Sequence, residues 1–337
     1  MSLFSYEGFA LLTLCMLALD LYQTRGGKVT IKKAAIWSLF WVFLALIFNM
    51  VIYYYWPVMA PGSSYTNSEA ATAFLTGYLL EKSLSVDNLF VFALIFSQFS
   101  VPQHLRPRVL MLGVVGALIL RAIMIGVGAQ LLKEFHWVLY VFAAFLLYTG
   151  YKLWREGEEE QEDFSDSLPV RLVKKCVRVS NDYRGTAMFY KDSMGWIATP
   201  LLIVVAVIAL TDVMFALDSI PAIFAVTQEP FLVLTANVFA LLGLRSLYFV
   251  LEGMLTRFCY LRVALAFILS FIGIKMLLME TAYAIPTPVS LVVIALTITI
   301  AIVASLWKTR NQVESETQAM ASTVTDQPAT QSVHGKD

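Results

Sequence analysis

The chain has 337 residues, 59% of them apolar and 14% charged, with 24 Lys and Arg balanced by 24 Asp and Glu. A mean hydropathy of +0.72 is well above that of a soluble domain and marks an integral membrane protein, and the absence of net charge argues against a nucleic-acid partner. Cys15, Cys176 and Cys259 have neither metal nor disulfide spacing, so they read as buried structural thiols and redox chemistry is not indicated.

Nine apolar segments approach the roughly 20 residues that a helix needs to cross a bilayer. They lie at about 6–24, 34–56, 69–98, 109–131, 136–154, 197–226, 231–255, 261–280 and 287–307. The first begins near Tyr6 without a basic leader or a small-residue cleavage site, which predicts a retained helix. Basic residues orient the set, because short cytoplasmic loops are rich in Lys and Arg. Every second loop is basic, beginning with "RGGKVTIKK", whereas the opposite loops hold only Lys133. The amino terminus is therefore expected outside and the carboxyl terminus in the cytoplasm. Residues 155–196 open with seven acids in "EGEEEQEDFSD" and continue with basic "RLVKKCVR", as suits a solvated cytoplasmic loop. The polar stretch 311–337 reads as a disordered tail beyond a transmembrane domain of residues 1–310.

The third segment carries "EKSLSVDN", ionisable residues in an oily helix, and the sixth answers it with "LTDVMFALDSIPAIF". Glu81 precedes Asp87 and Asn88 as Asp212 precedes Asp218 and Ser219. Arg121 in "GALILRAI" is matched by Arg245 in "ALLGLRSL", and Lys152 by Lys275, each two residues after a glycine. Offsets of 131, 124 and 123 residues make segments three to five (about 69–154) an internal copy of six to eight (about 197–280). Each copy comes three segments after its original, an odd number, so the two enter the membrane from opposite sides and the repeats are inverted. The fold class is therefore an all-α polytopic membrane protein of about nine transmembrane helices with an inverted three-plus-three repeat. Transporters of that design hold substrate near the bilayer midplane between the repeats.

At about 100° per residue, Glu81 and Asn88 share a helix face, as do Asp212 and Ser219, while Asp87 and Asp218 diverge from those faces by about 120°. Pro221 leaves the Leu217 carbonyl without its helical donor, which predicts a kink in the sixth segment and an exposed backbone oxygen beside Asp218. His104, His136 and His334 fall in loops or the tail, so the intramembrane donors are oxygens and suit hard cations such as Mn²⁺, Mg²⁺, Ca²⁺, Na⁺ or H⁺. Against this stands mutual neutralisation: four acids (Glu81, Asp87, Asp212, Asp218) face four bases (Lys82, Arg121, Arg245, Lys275) within the segments. Intramembrane acids nonetheless mark ion paths more often than structural pairs.

"LTGYLLEKSLSVDNLFVF", "LTDVMFALDSIPAIFAVT" and "NVFALLGLRSLYF" resemble the paired motifs of the TerC/Alx family of bacterial inner-membrane proteins, over residues 10–307. The resemblance implies manganese export from the cytoplasm, with ties to tellurite resistance and alkaline conditions. It makes Glu81, Asp87, Asp212 and Asp218 the ion-coordinating positions, with Asn88 and Ser219 in support. The expectation is a secondary transporter, not an enzyme, with Mn²⁺ as substrate, no permanently bound cofactor, and protons or sodium as candidate counter-ions. The divalent ion and the lipid bilayer are then its partners. No nucleotide-binding motif is present. A rival reading is a membrane scaffold that recruits soluble stress-response proteins through its acidic loop. An intramembrane aspartyl protease is weaker, because it needs aspartates facing each other from two helices.

Overall fold

Helices start and stop where local chemistry dictates. Thr66 accepts a hydrogen bond from the Glu69 amide at 3.3 Å while Glu69 Oε2 accepts from the Thr66 amide at 2.8 Å, a capping box that opens the third helix. Prolines at the first or second positions open three others, where no helical donor is needed. The computed structural model describes residues 3–23, 30–155, 170–171, 175, 178–180, 182–192, 195–251, 260–279, 281 and 283–325. Its helices are α1 (Leu3–Gln23), α2 (Ile31–Met59), α3 (Asn67–Gln98), α4 (Arg106–Glu134), α5 (Val138–Arg155), α6 (Pro200–Phe224), α7 (Pro230–Leu241), α8 (Leu244–Leu251), α9 (Leu261–Leu278) and α10 (Thr287–Thr325).

Five stretches among the described residues are long and apolar enough to cross a membrane by length and composition: Ile31–Met59, Arg106–Glu134, Pro200–Phe224, Pro230–Val250 and Thr287–Lys308. α3 has 32 residues and the length to cross, but it carries Glu81, Lys82 and Asp87. Leu39, Met50, Ile119, Ile123, Met214 and Val303 point outward from the bundle, an apolar exterior that fits a lipid surround. The protein is thus a polytopic all-α membrane protein.

Four expectations need correction. The sixth segment is not broken at Pro221: α6 stays helical through it and ends only at Phe224. The interruption lies in the seventh, between α7 and α8, where Gly243 adopts φ +75° against the Trp41 ring. A Cβ there would lie 2.4 Å from Trp41 Cδ1, so the tight approach and the left-handed backbone both call for glycine. Second, residues 178–198 are not mere linker. Strands β1 (Arg178–Val179), β2 (Phe189–Asp192) and β3 (Gly195–Ala198) form a small sheet in the order β1-β3-β2, with β3 parallel to β1 and antiparallel to β2. The Tyr183 hydroxyl ties this segment to the Phe99 carbonyl at 2.8 Å, and burial pushes that phenol up to about 12. The acidic stretch 156–169 lies outside the described residues. Third, α10 runs on to Thr325 through part of the expected tail, because its Gln, Glu, Ala and Met favour helix and no Pro or Gly intervenes; residues 326–337 are outside the description. Fourth, Cys15 is exposed on α1, not buried, and Cys176 and Cys259 are not described.

Inter-helix contacts obey the repeat offsets. α5 and α9 run antiparallel: a Cβ on Gly150 would meet Ala266 O at 3.0 Å and Ser270 Oγ at 2.4 Å, and one on Gly273 would meet Ala143 O at 3.1 Å and Leu147 Cγ at 2.9 Å. With the 123-residue offset, the second pair of contacts is the first with its partners exchanged. Gly77 of α3 abuts Ala236 of α7, and Gly113 of α4 abuts Ile208 of α6, which are exchanged partners to within one residue. The connections gather at two ends. Ser63 Oγ donates to Glu229 at 2.6 Å and Thr227 bonds Tyr65, joining the α2–α3 and α6–α7 links at one end. The α3–α4 link joins the sheet segment at the other.

Candidate functional site

α3 and α6 each bury one polar stripe. Glu81, Ser85 and Asn88 are buried on α3, and Asp212 and Ser219 on α6 with Ala216 between them. Residues four and seven apart return to one face of a helix. Met214 and Leu217 accordingly stay exposed on the opposite side of α6.

Arg121 of α4 gathers the two stripes. Its Nε and Nη2 donate to Asp212 Oδ2 and Oδ1, each at 3.1 Å, the bidentate fork that a guanidinium offers a carboxylate. Nη1 donates to Glu81 Oε1 and to Ser219 Oγ, the latter at 3.3 Å. All are nearly dry: relative exposure is 1% for Arg121, 0% for Glu81, 2% for Asp212 and 1% for Ser219. Among the described residues, nothing donates a hydrogen bond to Glu81 Oε2. Two carboxylates share one guanidinium, so with both ionised the trio carries net negative charge and keeps an open acceptor. Leaving a buried acceptor open costs about 1–3 kcal/mol.

Of the six residues expected at an ion site, Glu81, Asp212 and Ser219 meet at Arg121. Asn88 is buried on the same stripe two turns beyond Glu81, outside that cluster. Asp218 is half-buried on the adjacent face of α6 and accepts from Thr149 Oγ1 of α5 at 2.9 Å, with the Lys152 charge acting on it from the same helix. The helix arithmetic that separated Asp218 from Asp212 therefore holds. The Asp87 side chain lies outside the described residues. Among the described residues, no three or more His, Cys, Asp or Glu side chains are close enough to hold a metal together.

Sequence reasoning missed Asp20. Near the end of α1, where an acid would ordinarily be solvated at the membrane interface, it is only 8% exposed and pairs with Arg245 Nη2 at 2.9 Å, tying α1 to α8. The available signal was Arg245 itself. Its partner Arg121 engages both midspan acids, which leaves Arg245 to seek an acid outside the repeats.

Residues 66–313 match the integral membrane protein TerC family. The chain belongs to that family. The chain is 48% identical over 292 residues to the Escherichia coli K12 protein named "Putative membrane-bound redox modulator Alx", covering 86% of this chain and 90% of that one. An uncharacterized membrane protein of Myxococcus xanthus is 42% identical over 316 residues, 93% of this chain and 95% of its own. The chloroplastic thylakoid membrane protein TERC of Arabidopsis thaliana is 44% identical over 236 residues, 70% of this chain and 61% of that one. No solved structure matches the chain.

Proposed function

We propose that this TerC protein is a secondary transporter of the bacterial cytoplasmic membrane that exports a divalent metal ion, Mn²⁺ foremost, through the Glu81–Asp212 site. The carrying observation is the dry cluster, its acceptors all oxygens, in which a carboxylate from each repeat converges on one guanidinium while Glu81 Oε2 has no donor among the described residues. Such a cluster is expensive to bury and suits a hard cation. Substrate ion and Arg121 compete for the same carboxylate oxygens, so entry of the ion displaces the fork and its exit lets the fork return. Arg121 thereby offsets one of the two negative charges between ions.

Exchanged contacts between antiparallel α5 and α9 support a local two-fold perpendicular to both helices, as two contacts related by i-to-j exchange require. For helices near the membrane normal, that axis lies in the membrane plane. Rocking one repeat against the other would then open the site alternately to each side. The basic loops support a cytoplasmic carboxyl terminus. The name of the Alx relatives refers to redox, but the described thiol, Cys15, sits exposed on α1 apart from this cluster.

The test is radiolabelled Mn²⁺ flux in sealed inverted vesicles, with and without an imposed pH gradient. Uptake into vesicles carrying the parental chain, lost in Glu81→Gln and Asp212→Asn at equal abundance, is the expected result. Parental flux in both variants makes the cluster a structural ion pair, and the scaffold reading then leads; deletion of residues 157–168 should cripple a scaffold and spare a transporter.

A further inference from the structure

One charged side chain next to the candidate site belongs to none of its bonds. Lys82 follows Glu81 on α3, and its Nζ donates to the Ala240 carbonyl at 3.0 Å and the Leu242 carbonyl at 3.3 Å. These carbonyls end α7 at the interruption before Gly243. The last carbonyls of a helix have no intrahelical donor and sit at the negative end of its dipole. At membrane depth such oxygens need a partner, and in broken transporter helices a free Na⁺ often supplies it.

We propose that the α7–α8 break is a monovalent-cation site whose cation is the tethered Lys82 ammonium, so that this position takes no free Na⁺. The repeat supplies an internal control. Under the offsets of 131 and 124 residues, Lys82 corresponds to Val213, and the stretch 240–243 corresponds to 116–119. Val213 offers no charge, and α4 runs unbroken from Arg106 to Glu134. Break and ammonium occur together in one pairing of helices and are both missing from its counterpart. An ammonium is a compact point charge with three donors, matched to two carbonyls and to the size of a small monovalent ion. The consequence deepens the transporter reading and rests on it only in part: with this position filled by the chain, coupling to sodium has no use for it.

The experiment uses the full chain in lipid nanodiscs and in proteoliposomes, at constant ionic strength, with Na⁺, K⁺ or N-methyl-D-glucamine as the cation. The parental protein is expected to show the same unfolding midpoint in all three. Lys82→Ala should lose stability in N-methyl-D-glucamine and regain about 4 °C, saturably, in Na⁺ or K⁺. Lys82→Met keeps the volume of the stem and serves where the alanine variant fails to fold. Lys82→Arg should stay insensitive. A folded Lys82→Ala or Lys82→Met protein with no response to Na⁺ or K⁺ overturns the proposal, as does a parental protein whose stability depends on either ion. Because the readout is stability, it stands or falls separately from Mn²⁺ flux, which the same liposomes report.

Discussion

Arg121 and Arg245 occupy matching places in the two proposed repeats, yet they make different contacts. Arg121 joins α3 to α6 through Glu81 and Asp212, whereas Arg245 turns outward to Asp20 of α1. The proposed repeat gives both halves an arginine at the same place, but only one guanidinium lies between the two carboxylates from opposite halves. The second needs a partner elsewhere, and a helix outside the repeat supplies it. In the proposed inverted repeat, symmetry is thus a property of packing more than of chemistry: glycine contacts are exchanged in pairs, while the charges are divided between the Glu81–Asp212 cluster and an anchor.

Breaking the first arginine's cluster should have the largest effect. Glu81→Gln and Asp212→Asn keep shape and remove one charge, and each should abolish Mn²⁺ flux in vesicles while raising sensitivity of exporter-deficient cells to added manganese. Removing one member of a buried pair also destabilises by about 3–5 kcal/mol, so flux is read per molecule of membrane-inserted protein. Arg121→Lys keeps the charge without the two-pronged geometry and should leave partial flux with weakened affinity, seen as a raised KM.

The second arginine separates cleanly if the comparison is right. Asp20→Asn removes the charge opposite Arg245 and should cost a similar amount of stability, read as a lower unfolding midpoint in nanodiscs, while flux per folded molecule stays at the parental level. A variant of normal stability that loses flux would make α1 part of the transport pathway and dissolve the division proposed between the two arginines.

The glycine pair sharpens the packing half of the comparison. Gly150→Ala and Gly273→Ala each place a methyl against a backbone carbonyl, 3.0 Å away in one case and 3.1 Å in the other. Both should lower stability by about 1–3 kcal/mol, Gly150 the more because Ser270 Oγ is also in the way at 2.4 Å. One variant neutral and the other severe would mean that the two halves of this contact are not equivalent.

Helix periodicity made much of this legible. The seven-residue spacing from Asp212 to Ser219 marks the polar face of α6, and the 123-residue lysine offset also relates the glycine contacts between α5 and α9. The break was not legible. Pro221 advertised a discontinuity, but α6 continues helically through it to Phe224, so loss of the donor to the Leu217 carbonyl does not break the helix. The real interruption depends on Trp41 of α2 pressing on Gly243 and on Lys82 reaching the freed carbonyls, both long-range partners. Asp20 was obscured for the same reason: its depth is set by α8, not by its neighbours in the chain.

The smallest effect is expected far from either arginine, where the sheet segment meets the bundle. Tyr183 donates to the Phe99 carbonyl, which belongs to the turn between α3 and α4, and the intervening Ser100 has φ 49°. With the phenol pushed up to about 12 by burial, it stays a neutral donor across the physiological range. Its raised value means the folded state favours the protonated form: that contribution is fully present below the ordinary phenol value near 10 and is lost only as pH rises towards 12. Tyr183→Phe should therefore cost about 1 kcal/mol at any pH from 6 to 9, measured as a small, pH-independent drop in unfolding midpoint with unchanged Mn²⁺ flux. A flux change with stability intact would instead tie the segment to motion of α3, the helix that carries Glu81, and would extend the working half of the molecule to its loop.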